Sequence, residues 1–147
     1  MRIYSAMTGK LAILILALLA HTTASSAQVA IIAHKSVSVD HLSRTQLIDF
    51  YTGDARHWDD GRPIVLFTLR TRTEPRGSFF ELLGRSSSRM KSIWMKRMLS
   101  GEGDPPETLP SESAVLQRVA TTPGAIGYVS PDSTSSAVKL LPIQSKD

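Results

Sequence analysis

The run at residues 64–69 (IVLFTL) constrains the fold of this 147-residue chain more than any other stretch. It is apolar on both faces, so the strand it forms cannot leave either face in water. A strand of that kind belongs inside a mostly parallel sheet, and helices must cover it from both sides. The flanking sequence supplies such elements. Residues 28–33 (QVAIIA) read as an earlier buried strand, Ala125–Val129 (AIGYV) as a later one, and residues 138–143 as a fourth. Helical patterns fill the intervals. The order strand, helix, strand, helix, helix, helix, strand, strand predicts an α/β sandwich with a mostly parallel sheet flanked by helices.

The helix boundaries carry their own signals. Ser43 and Gln46 stand as N-cap and N3 of a capping box, with Leu42 and Leu47 at the staple positions and Gly53 as the stop. Thr73 opens a second helix, and Pro75 falls in its first turn, where a missing N–H costs little. Ser86 starts a third, in which Met90, Ile93, Trp94, Met98 and Leu99 recur at helical spacing and read as an inward stripe. Residues 101–110 read as a Gly/Pro/acid loop. Ser111 caps a fourth helix, stopped by Pro123 and Gly124.

The first 27 residues do not belong to this domain. Arg2 and Lys10 with no acid, an unbroken apolar run at residues 11–20 (LAILILALLA), and small residues up to Ala27 read as a secretory signal peptide, residues 1–27. The run is short for a membrane span. Its removal leaves a single domain, residues 28–147, with 15 basic and 13 acidic residues. That near balance argues against a nucleic-acid partner. The chain has no Cys, so disulfides, thiolate metal sites and a cysteine nucleophile are excluded. Export without cysteine suits a bacterial periplasm.

Three segments in order carry a resemblance. They are residues 43–59 (SRTQLIDFYTGDARHWD), residues 64–80, and residues 111–129 ending in PGAIGYV. Together they resemble the phosphate-binding proteins of bacterial phosphate ABC importers, which have the type II periplasmic-binding-protein fold. The resemblance implies that fold, a periplasmic location and a phosphate site, with an ABC permease or another envelope protein as partner. Members of that family have two lobes, and residues 28–147 have room for about one. The glycine-rich phosphate loop of the other lobe has no counterpart here. At the strand-to-helix turn the family has Arg followed by Asp-Gly-Ser-Gly-Thr. This chain has Arg70-Thr71-Arg72-Thr73-Glu74-Pro75-Arg76-Gly77-Ser78. The resemblance places Arg70 on the family's arginine and Thr73 on its serine.

The residues permit an anion there. A helix N-terminus offers unpaired N–H groups and partial positive charge. Thr73 can donate, and Arg70, Arg72 and Arg76 bring forked donors suited to oxyanions. Ser111, at another helix start, is a candidate for a second side of the site. The same residues also read as ordinary helix caps beside solvated arginines. These readings lead to two functions: a binding domain for phosphate or a related oxyanion, linked to ABC-type phosphate import, or an accessory envelope module that keeps the lobe as a scaffold. Neither is an enzyme, since no nucleophile, base and oxyanion donors are assembled. His34, His41 and His57 beside Asp40, Asp59 and Asp60 lack metal-ligand spacing, so no metal or other cofactor is expected. The basic run Arg85, Arg89, Lys91, Lys96 and Arg97 reads as a solvated helix face, with an anionic membrane or an acidic partner as the other reading.

Overall fold

The computed structural model describes residues 29–70 and 72–144; the expected signal peptide lies outside them. Chain order runs β1 (Ala30–Ala33), β2 (Leu42–Ser43), α1 (Arg44–Thr52), β3 (Val65–Leu69), α2 (Glu74–Leu83), α3 (Ser87–Leu99), β4 (Glu107–Leu109), α4 (Glu112–Thr121), β5 (Ala125–Val129), β6 (Lys139–Leu140) and β7 (Ile143–Gln144). Five strands form one sheet in the order β4-β3-β5-β1-β6. β3 pairs in parallel with both β4 and β5, whereas β1 is antiparallel to β5 and β6. Four strands therefore point one way and β1 alone opposes them. The sheet is the mostly parallel, helix-flanked α/β arrangement that the apolar run at residues 64–69 demands.

The side chains of β5 alternate between two covered faces. On one face Gly127 lies under α4, and a Cβ there would come within 2.9 Å of Val115 Cγ1 and 3.3 Å of Val119 Cγ2. The missing side chain lets the helix sit close on the strand. On the other face Tyr128 stacks on Phe79 of α2, with centroids 3.9 Å apart and planes inclined by 10°. Phe79 in turn meets Tyr51 of α1 edge to face at 4.7 Å. Burial of Ile32, Phe67, Leu69, Phe79, Ile126 and Tyr128 makes this two-sided sheet the centre of the core.

Local signals place the helix ends. In α1, Ser43 Oγ accepts from Gln46 N at 3.1 Å and Gln46 Oε1 accepts from Ser43 N at 2.9 Å, closing the capping box. Leu42 and Leu47 are fully buried, and Gly53 ends the helix at φ 84°. Ser86 and Ser111 cap α3 and α4 through bonds from Arg89 N and Ala114 N, each 3.1 Å.

Three details differ from the sequence reading. Residues 107–109 form an edge strand inside the expected loop, because β3 offers them a partner. The expected single strand at residues 138–143 is two. Leu141 N still donates to Ile31 O, but Pro142 has no N–H, and its carbonyl accepts instead from Leu42 N. From there β7 pairs with β2 in a separate small sheet. Finally, the inward stripe of α3 holds only through Trp94. Met90 is buried, while Met98 and Leu99 are 43% and 78% exposed, because the helix runs on past its anchor, the Trp94 Nε1 bond to Tyr51 O.

Candidate functional site

Parallel strands β3, β4 and β5 end along one edge of the sheet, and α2 and α4 begin just beyond it. In open α/β sheets such a carboxyl-end edge is where ligands bind. The Arg70 N–H donates to Leu109 O at 2.9 Å, which fixes the end of β3 beside the end of β4. Thr73 follows shortly after one of these ends, and Ser111 shortly after the other. The side chain of Glu112, in the first turn of α4, accepts from Ser130 N, which draws the end of β5 to the same place. All four sequence-predicted residues thus sit on one edge.

Their side chains are not equivalent. Arg70 is exposed, and its guanidinium has no ion-pair partner among the described residues. Thr73 is the N-cap of α2 in extended backbone, but its hydroxyl makes no capping bond. That leaves the hydroxyl unspent. Pro75 supplies no N–H, and Gly77 N is already bonded to Thr73 O, so the open backbone donors of this turn are few. Arg76 folds back instead of reaching outward. Its Nε donates to Leu69 O at 2.9 Å, and its guanidinium carbon lies 4.8 Å over the Phe80 ring. It braces the end of β3. Ser111 Oγ is engaged as a cap, with its own proton left to donate.

A phenol that sequence inspection missed holds this edge in place. Tyr128 OH lies 2.8 Å from Thr68 Oγ1 and accepts from Leu69 N at 3.1 Å. Tyr51 OH donates to Phe67 O at 2.9 Å. Two buried tyrosines therefore brace the strand that carries Arg70. Burial pushes the Tyr51 phenol well above its ordinary pKa, with Tyr128 adding to the effect. Burial also raises Tyr128, against the hydrogen bonds to Thr68 and Leu69 and the positive charge of Arg76. Only the aromatic residue in AIGYV signalled this role, and nothing local pointed to its partner 60 residues away.

The edge also carries negative charge. Glu74 and Glu112 occupy the first turns of α2 and α4 and favour the helix dipoles by themselves. Several concavities lie elsewhere. A cleft of about 460 Å³ between α1, the start of β3 and residues 102–107 is floored by Phe50, Tyr51 and Ile64 and rimmed by Arg56 and Glu102. An open hollow of about 550 Å³ is lined by Arg44, Arg85 and Arg89 beside Ser86. None of the four predicted residues lines either one.

Comparison with solved structures shows the fold. An ABC-type phosphate transport receptor from Vibrio cholerae superposes with a TM-score of 0.65 at 22% identity, over 82% of this chain and 47% of the receptor. The fold is shared with phosphate receptors. A putative phosphate ABC transporter substrate-binding protein from Clostridium perfringens, solved with bound phosphate, gives 0.65 and 22% over 79% of this chain and 44% of its own. A possible phosphate-binding protein from Planctomyces limnophilus gives 0.59 and 14%, covering 80% and 41%. The chain thus spans less than half the length of the receptors it matches. No protein-family model and no curated protein matches the sequence. Among the described residues no helix is long and apolar enough to cross a membrane.

Proposed function

We propose that this chain is a periplasmic solute-binding domain for phosphate or a related oxyanion, serving ABC-type phosphate import with a permease as its partner. The observation that carries the reading is the junction of Arg70 with Leu109 at the carboxyl edge of the sheet. It sets Arg70, which has no ion pair among the described residues, and Thr73, whose hydroxyl makes no capping bond, on the edge where α2 and α4 begin, in a fold shared with phosphate receptors. The anion rests over the start of α2. Arg70 neutralises it, Thr73 donates to it, Arg76 holds the strand end beneath it and adds positive charge, and Ser111 closes a second side. One open edge buries less of a ligand than two lobes closing together, so affinity is weak, micromolar or poorer.

Calorimetric titration of the folded chain with phosphate and with sulfate tests this. Saturable heat that Arg70→Ala abolishes supports the site. No heat at millimolar ligand removes the binding claim.

A further inference from the structure

We propose that the outward face of α3 is a docking surface for an anionic phospholipid membrane, separate from the oxyanion edge and independent of it. At 100° per residue, Ser88, Ser92, Met95 and Leu99 fall on one line along the helix. All four are exposed. Among the described residues, four large apolar side chains stand out in solvent, and three of them are Met95, Met98 and Leu99 on the last turns of this helix. Met95 and Leu99 lie on that line and Met98 about 80° round the helix, beside Lys91, and such clustering at one end of a helix marks an interaction surface, whereas single exposed apolar residues do not.

Charge selects the occupant. α3 has four basic residues and no acid. Arg97, on the inward side, is neutralised by Asp54 and Glu102. Arg89, Lys91 and Lys96 have no ion pair among the described residues, and they flank the ridge, Lys91 on one side and Arg89 with Lys96 on the other. At the helix start Arg44 and Arg85 extend the positive field around the hollow they share with Arg89. Apolar residues between flanking lysines are the pattern of a helix lying in a bilayer interface, its crest among the acyl-chain boundary and its ammonium groups on headgroup phosphates. The methionines adapt to a fluid surface, and the hollow of about 750 Å³ lined by Lys91, Ser92, Met95, Lys96 and Leu99 is wide and open rather than enclosed.

The test uses residues 28–147, which contain the whole described core, so that the leader's apolar run does not contribute. The chain has no Cys, so Met95→Cys and, as a control on α4, Ser113→Cys each accept one environment-sensitive fluorophore. Flotation is measured with phosphatidylglycerol-containing vesicles and with pure phosphatidylcholine vesicles. Expected are flotation with the anionic vesicles alone, a blue shift at position 95 and none at position 113. Lys91→Glu with Lys96→Glu lowers the partition coefficient by at least about tenfold. Both positions are exposed, and an unchanged circular dichroism spectrum verifies the fold. Equal flotation with both vesicle types, flotation with neither, an unshifted label at position 95, or an unaffected charge-reversed chain each overturns the proposal.

Discussion

Removing one oxygen atom tests whether the carboxyl edge of the sheet is braced from below. In Tyr128→Phe the ring keeps its stack on Phe79, but the phenol oxygen that accepts from Leu69 N at 3.1 Å and meets Thr68 Oγ1 at 2.8 Å is gone. Leu69 is 1% exposed and Thr68 3%, so water does not readily replace that oxygen. An orphaned buried donor costs about 1–3 kcal/mol, more than the net worth of an ordinary hydrogen bond. The backbone N–H of Leu69 cannot turn elsewhere, whereas the Thr68 hydroxyl can rotate, so a loss of about 2 kcal/mol is expected. With the unfolding entropy of a domain this size, that loss is a fall in Tm of roughly 6–10 °C. Urea denaturation followed by tryptophan fluorescence measures it, since Trp58 is buried and Trp94 half-buried. Thr68→Val in the same background separates the two bonds: the double variant loses less than the sum of the singles by about 1 kcal/mol. A Tyr128→Phe loss below about 0.5 kcal/mol would mean that Leu69 finds another acceptor and that the brace is dispensable.

Two further predictions rest on the same packing. Tyr51 and Tyr128 have folded pKa values raised above their unfolded ones, so their stabilising contribution is complete below pH about 10 and is lost as pH rises toward the folded values. Urea midpoints should therefore fall as pH rises above about 10, less steeply in Tyr51→Phe, and a flat profile contradicts the burial argument. Gly127→Ala places a methyl within 2.9 Å of Val115 and should cost about 1–3 kcal/mol by forcing α4 off the sheet, with part of the loss recovered by Val115→Ala in the same chain. Thermal unfolding of the single and double variants checks this, and an unchanged single variant refutes the close approach.

Much of the fold was legible because it is written locally. Ser43 and Gln46 satisfy each other across one turn, and Gly53 takes the left-handed conformation that ends α1. The apolar run that became β3 required covers on both faces, and the apolar stretch AIGYV supplied a second strand of the same kind. The candidate site was legible only as a set of residue types at strand ends and helix starts. Thr73 was recognisable as a helix start, but its hydroxyl is left free because the backbone there does not bring it to a donor. Arg70 and Arg76 have the same side chain, yet one faces solvent and the other bends onto Leu69 O and Phe80.

The sequence by itself determined which stretches must be buried, where each helix starts, and that the sheet needs helices on both sides, because those demands arise from neighbours within a turn or a strand. Tertiary structure alone decided that β1 runs against the other strands of its sheet, that residues 107–109 become a strand at all, that Pro142 hands the chain to a second sheet, and that the end of α3 leaves its apolar side chains uncovered. Each of these depends on what lies alongside a segment, and hydrogen-bond partners and covering surfaces come from residues far away in the chain.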